Sequence, residues 1–505
     1  MPLLAIFCGT PLRSVYAQET AHPTLSEQLQ KLTEAMARTQ AQVEQSQHEL
    51  EEMRKQLNAL QALAAQSGAS ATAPETASSS SSAPAAEPVT HAEIDDIRER
   101  QAVIESEIKT HEQTKVESES KYPVKITGLL LLNGFVNTKG VDAAATPTLA
   151  VGGPGNTGAS VRQTVLGFSA RGAHLFGAAS YADLNIDFDG NPQSPATTTN
   201  YTGYNASNAT LLRLRTAHAG LQWQHTQAYF SLDHPILSPD SPTSLTAVAE
   251  PALAWSGNLW TWNPQFGLTH DLPIGSHSVR LQSALIDVGD APWSVVTTSA
   301  ATGGTPATGA EQSRWPGAEA RIALLGSKSD EGSHLGVGGY FSPHLNPVGR
   351  RFDAWAGTLD ARLALPWRLS FTGSFYRGAA LGGLGAGGFK DFGFVADPGT
   401  GNYYFRPYDD AGGWAQLKEK LSQRLELNAA FGLDNVFASQ LRPYAVPGGT
   451  SYQNLARNRT YTGNVIYSPS AYLLFSLEYR HLGSSPIIGS PVGSNVIGLA
   501  AGYRF

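Results

Sequence analysis

No apolar run of about eighteen residues, the length a membrane-crossing helix needs, occurs in this 505-residue chain. That excludes transmembrane helices. Cysteine is nearly absent: the single Cys8 excludes a disulfide scaffold and cysteine-based metal sites. Charge is scarce, with 15% of residues ionisable against the quarter or so typical of soluble domains. The 35 Lys and Arg against 42 Asp and Glu leave no basic excess, which argues against a nucleic-acid partner. What the chain does have is 51 glycines, 30 prolines and a mean hydropathy of only −0.20.

The charge divides the chain into two materials. Residues 18–122 hold 9 basic and 18 acidic side chains, whereas residues 123–505 hold 25 and 24, and 19 of those 25 bases are arginine. Ahead of both, the apolar Leu3 to Phe7 and the small-x-small Val15-Tyr16-Ala17 read as a secretory signal over residues 1–17. It lacks a basic n-region, so the first residue here is expected to lie inside a longer natural leader. Bulky Phe7 before Cys8 argues against a lipoprotein.

From Leu25 the apolar residues step by alternating four and three: Leu25, Leu29, Leu32, Met36, Val43, Leu50, Met53, Leu57 and Leu60, with Thr39 and Ser46 interrupting at d. This predicts a coiled coil over 18–66, opened by a Thr24/Glu27 capping box. A single amphipathic helix packed on a globular partner is the competing reading. Residues 67–89, with five consecutive serines at 78–82, read as a flexible linker. A second short helical seam follows over 90–121, through Ile94, Ile97, Gln101, Ile104 and Ile108.

Over residues 122–505 the period changes to two. Near the C-terminus Leu473, Phe475, Leu477 and Tyr479 alternate with Ser476, Glu478 and Arg480. Ile497, Leu499, Ala501, Tyr503 and Phe505 alternate with Val496, Gly498, Ala500, Gly502 and Arg504. One apolar face with aromatic ends and one small or charged face predicts an all-β transmembrane barrel with a wet lumen. A soluble sandwich or propeller would bury the apolar face, and a propeller would show a blade repeat, which is missing. Sixteen candidate strands are expected, with connections alternating long (138–159, 190–208, 234–263) and tight (172, 224–225). That asymmetry suits an outer-membrane barrel with long loops outside and short turns in the periplasm.

The barrel resembles a bacterial outer-membrane porin of the sixteen-stranded trimeric type. The resemblance rests on Tyr503-Arg504-Phe505, Val161-Arg162-Gln163-Thr164 through Gly167-Phe168, and Leu212-Arg213-Leu214-Arg215-Thr216-Ala217. Gly412-Gly413-Trp414-Ala415-Gln416-Leu417 with Leu425-Glu426-Leu427-Asn428 is similar to a hairpin in porins carrying an N-terminal periplasmic coiled coil, the DcaP-like porins being the nearest. The resemblance implies a homotrimer and a loop after the fifth strand folded into the lumen. Here that loop, 234–263, carries Asp240 and Glu250 as constriction candidates. Its Trp255, Trp260 and Trp262 fit either a sugar-stacking slide or an aromatic belt at the membrane interface, and the belt is the preferred reading.

Asp183, Asp187 and Asp189 share a face opposite Leu184, Ile186 and Phe188, so apolar contact with lipid sends the carboxylates into the lumen. With Arg162, Arg213, Arg215, Glu478 and Arg480 they are the channel-lining candidates, Arg162, Arg213 and Arg215 forming a basic cluster facing the carboxylates and Arg480 lying on another inward face. The calcium-loop mimic at Asp183-x-Asn185-x-Asp187 has Phe188 where glycine is required. The Gly383-x-Gly385-x-x-Gly388 fingerprint has no following helix. His218, His225, Asp233 and His234 make a weak hydrolase case. No catalytic residue, metal or cofactor is expected. The expected function is a porin for small hydrophilic solutes, in outer-membrane lipid with its arm in the periplasm. The competing readings are a structural tether gripping peptidoglycan or a periplasmic partner, and a barrel enzyme of the protease or phospholipase kind.

Overall fold

The computed structural model describes residues 124–190, 211–292, 307–327, 332–346, 349–396, 399–400, 403–449 and 452–505. The signal at 1–17, the arm at 18–66 with its Leu25–Leu60 seam, the linker at 67–89 and the helix at 90–121 lie outside the described residues.

The strands are β1 (Val124–Val141), β2 (Ala150–Ser160), β3 (Val165–Leu175), β4 (Ala178–Gly190), β5 (Leu211–Gln222), β6 (Thr226–Asp233), β7 (Asn263–Ile274), β8 (His277–Ile286), β9 (Gly317–Leu325), β10 (His334–Leu345), β11 (Arg351–Ala364) and β12 (Leu369–Ala379). They continue with β13 (Phe392–Ala396), β14 (Tyr403–Pro407), β15 (Asp409–Lys420), β16 (Leu425–Val436), β17 (Leu455–Tyr467), β18 (Leu473–Pro486) and β19 (Val492–Arg504). β13 and β14 form a separate hairpin, and the other seventeen make one antiparallel sheet. β2 and β3 both pair with β1, end to end, so they are two halves of one stave and the ring has sixteen. β1 closes it against β19, with Leu129 opposite Arg504 and Asn137 opposite Val496. Closure leaves no edge, which a sheet in hydrocarbon requires because lipid cannot satisfy an open row of backbone groups.

Alternation sets the two faces. On β18 Leu473, Phe475, Leu477 and Tyr479 are exposed outward, while Ser476, Glu478 and Arg480 are buried inward. On β19 Ile497, Leu499 and Tyr503 are likewise exposed. An outward band of Leu, Ile, Val, Phe and Tyr around a polar interior is the surface of a barrel solvated by lipid. Tight turns such as Phe176–Gly177 and Gly275–Ser276 lie at the end where the chain enters β1 and leaves β19. The long connections 234–262, 380–408 and 437–454 lie at the other.

Two boundaries differ from expectation. Residues 138–159 are expected to form one long connection, yet β1 continues to Val141 and β2 begins at Ala150. Gly155 and Gly158 stand where a neighbouring strand or ring approaches closely. A Cβ at Gly155 would lie 2.1 Å from the carbonyl oxygen of Asn137, and one at Gly158 would lie 2.6 Å from the Phe135 ring. The tight turn placed at 172 falls instead at Phe176–Gly177, because Gly172 stays inside β3.

Arginine at an outward position near the middle of the band is costly. Leu477→Arg is expected to lower unfolding free energy in lipid vesicles by about 2–4 kcal/mol. A denaturant titration beside the unsubstituted chain checks this, and an unchanged midpoint would contradict the lipid-facing assignment.

Candidate functional site: a loop docked inside the ring

The connection between β6 and β7 does not stand outside the barrel. Its polar groups reach inward-facing side chains on strands all around the ring, which places it within the lumen. Asp240 is paired with Arg362 of β11 and lies 3.1 Å from His334 of β10. The Thr243 amide donates to Gln416 Oε1 of β15 (2.6 Å), and its carbonyl accepts from Asn464 of β17 (2.8 Å). Ser244 and Thr246 donate to the Glu478 carboxylate of β18 at 2.6 and 2.7 Å. Asn133 of β1 donates to the Leu245 carbonyl at 2.8 Å. Asn458 of β17 donates to the Trp255 carbonyl at 2.9 Å. Each such bond contributes roughly 0.5–1.5 kcal/mol net, more where a charge takes part. The loop is held by many of them at once.

The break between β2 and β3 belongs to the same docking. At 161–164 the Thr164 amide turns back to the Val161 carbonyl, and Gln163 is fully buried. Its Oε1 accepts from the Val248 and Ala249 amides at 2.7 and 3.2 Å, and its Nε2 donates to the Thr246 carbonyl at 3.1 Å. The interrupted stave thus presents one amide side chain that pins the loop on three backbone groups.

The charged candidates sort by neighbour. Asp187 of β4 is fully buried and takes both Arg213 Nε (3.0 Å) and Nη2 (2.7 Å) from adjacent β5, with Arg215 at 3.6 Å. Asp189 lies 3.9 Å from Arg213. Carboxylates and arginines are therefore side by side on one wall, not facing each other across the lumen. A bulge between Asn185 and Ile186 shifts the β4–β5 register, and Arg213 and Arg215 both reach Asp187. Arg213 also donates to the Ala249 carbonyl of the loop at 2.8 Å. Arg480 sits 2.9 Å from Glu478, and both are almost completely buried under the loop. Arg162 is half-buried at the stave break. Asp183 and Asn185, from the calcium-loop mimic, are occupied by His218 (2.8 Å) and Thr216 (3.0 Å) of β5.

Neither Trp255 nor Trp260 forms a belt. Both are buried in a cluster with Leu149, Ala254, Phe389 and Leu455, because a second connection, 380–391, covers the loop. Trp255 stacks on Phe389 with centroids 4.1 Å apart. The Trp260 amide donates to the Leu384 carbonyl (3.1 Å), and Thr261 donates to Gly383 (2.8 Å). Gly385, at φ +96°, lies so close that a Cβ would be 2.5 Å from the Trp260 ring. Of the glycine fingerprint, Gly385 thus packs on a tryptophan. Trp262 stays half-buried, with the Arg213 and Arg215 guanidinium groups 5.1 and 5.2 Å from its ring.

Glu250, on the loop, is pushed up to about 8 by burial first and then by the Asp142 and Asp189 carboxylates, against the opposing pull of Arg213 and Arg480. Sequence reasoning named Glu250 and Asp240. It missed Gln163, Asn133, Asn458, Asn464, His334 and Arg362, since amides on alternating strands carry no signal until a loop is laid over them.

No family model matches the chain, and no curated protein matches it. Among solved structures the fold is similar to that of the outer membrane channel DcaP of Acinetobacter baumannii, with a TM-score of 0.54 at 15% identity over 77% of this chain and 99% of that one. At that identity the likeness shows the fold. The anion-selective porin from Comamonas acidovorans aligns at a TM-score of 0.45 and 9% identity, over 76% of this chain and 100% of that one. OprB of Pseudomonas putida aligns at 0.44 and 10% identity, over 76% and 94%. These last two are too distant to argue from.

The Glu250 shift has a sign that can be tested. An unfolded glutamate loses its proton above its ordinary value of 4.5, whereas folded Glu250 keeps it to about 8. Across that window the unfolded chain binds fewer protons, so stability falls as pH rises. Glu250→Gln is expected to match the unsubstituted chain in thermal unfolding at about pH 4 and to be the more stable of the two at about pH 9. Equal melting at both pH values would contradict the burial.

Proposed function

We propose that this chain forms a water-filled channel across a bacterial outer membrane, through which small hydrophilic solutes diffuse passively, and that it works as a homotrimer. The observation that carries the reading is the loop 234–262. A barrel serving only as an anchor has no need of a lumen crossed by a strap whose polar groups are met by Glu, Asn, Gln, Arg and His side chains on every side. A strap that narrows a wet lumen without filling it sets a size limit on what passes. The fold shared with a protein described as an outer membrane channel supports the same reading. No observation among the described residues favours the tether. Arg162 and Asp189, which keep some exposure, are the charges we assign to passing solutes, whereas Arg213, Glu478 and Arg480 hold the strap. Homotrimer formation is supported by the expected N-terminal heptad seam, since closed cyclic symmetry and a coiled coil agree.

Planar-bilayer recording of purified protein is expected to give stepwise conductance. A chain lacking residues 239–250 is expected to give larger steps, because the strap loses its Asp240, Ser244 and Thr246 anchors and part of its bulk. Membranes that stay silent under every salt would sink the channel reading, and steps unchanged by the deletion would remove the strap from the conducting path. The trimer is read on an unheated gel after crosslinking.

A further inference from the structure

A cavity of about 490 Å³ lies between residues 234–241 of the strap and the inner faces of β4 to β8, a size that suits a small organic guest. Its walls are mainly hydroxyls and amides, with Tyr181 and Tyr229 as its aromatic surface and Gln227, Gln265, Gln282 and Thr269 among its hydrogen-bonding groups. The two tyrosines are laid along the wall. A Cβ at Gly267 would lie 2.4 Å from Tyr229 Cζ. One at Gly220 would meet Tyr181 Oη at 2.9 Å and Tyr229 Cβ at 3.0 Å. Glycines at these two positions give the rings the room a side chain would take, so the rings lie against backbone. Gln227 donates to the Tyr181 hydroxyl, and Tyr229 is hydrogen-bonded to Thr269, which fixes both rings in that attitude.

Charge in and around the cavity is already closed on itself. His218 has Asp183 2.8 Å from Nδ1 and Asp233 2.9 Å from Nε2, an arrangement that the doubly protonated ring satisfies. Arg280 holds Asp271 through Nε and Nη2 at 2.7 and 2.8 Å. Two cations thus stand against three carboxylates. An anion entering meets cations committed to other partners and a slight excess of negative charge. An uncharged solute loses little, and it finds flat aromatic faces beside amide and hydroxyl groups.

We propose that this cavity is a binding station for uncharged, polyhydroxylated solutes of sugar size, with Tyr181 and Tyr229 as the stacking surface. The assignment rests on the channel reading and names a solute class for it. It also moves the stacking role from the three strap tryptophans, two of which are buried, to tyrosines on the wall.

The test is single-channel recording of the full chain in potassium chloride, with maltose and succinate as probes. Maltose is expected to block the open current saturably, and succinate at equal concentration is expected to leave it unchanged. Tyr181→Ala and Tyr229→Ala are each expected to raise the half-blocking maltose concentration roughly fivefold, the size of one aromatic contact. Tyr181→Phe, which keeps the ring, is expected to stay close to the unsubstituted chain. If Tyr229→Ala does not insert, the two Tyr181 variants decide the matter alone. Block by succinate but not maltose would overturn the station, as would maltose block indifferent to the alanine variants, and either would leave the channel standing. An unsubstituted chain without conductance would overturn the channel reading itself.

Discussion

A strand in hydrocarbon has no water to receive its backbone groups, so the sheet must pair with itself all the way round. The β1–β19 ladder, running from Leu129 opposite Arg504 to Asn137 opposite Val496, is the interaction that makes this possible. Once the ring is closed, the two-residue period has only two destinations. Leu477 and Tyr479 go to lipid, and Glu478 and Arg480 go to the interior. The low overall charge follows from this. Half of each stave is apolar and faces outward, and the interior needs only enough polar groups to serve a lumen and a strap.

The strap depends on that interior in turn. A buried loop carries backbone groups that must be met, since an unmet buried donor or acceptor costs about 1–3 kcal/mol. The wall meets them with amides drawn from distant parts of the chain: Asn133, Gln163, Gln416, Asn458 and Asn464. The broken stave at 161–164 serves the same end, giving up regular pairing at one height so that Gln163 can point at the strap. The glycine-rich 380–391 segment then closes over Trp255 and Trp260, so two connections are stacked inside the barrel.

Much of this was legible in the amino-acid order. The period of two located the staves, including their number, because every outward position in lipid has to be apolar whatever its neighbours. The inward direction of Asp183 and Asp187 followed from Leu184 and Ile186 by the same rule. Partners were another matter. Asp187 meets Arg213 across the 190–211 connection and a bulge at Asn185/Ile186, and no local pattern reports either register or bulge. The strap tryptophans read as a belt because tryptophan near a strand end usually is one. Only the covering segment, more than a hundred residues further on, makes them a core. What the glycines do is decided by distant neighbours: in β2 Gly155 and Gly158 mark close strand pairing, and in 380–391 Gly385 makes room for Trp260.

Strap, solute path and lipid band all require that the inward face of this ring line an aqueous path and the outward face lie in lipid. Neighbouring positions on β4 test it most directly: Asn185, which faces in, and Leu184, which faces out. In a Cys8→Ser background, Asn185→Cys and Leu184→Cys are recorded in a planar bilayer while a charged, membrane-impermeant thiol reagent is added. Current through the Asn185→Cys channel is expected to fall as the reagent reacts, and current through Leu184→Cys to stay unchanged. Equal modification of the two positions, or modification of Leu184→Cys alone, would contradict it.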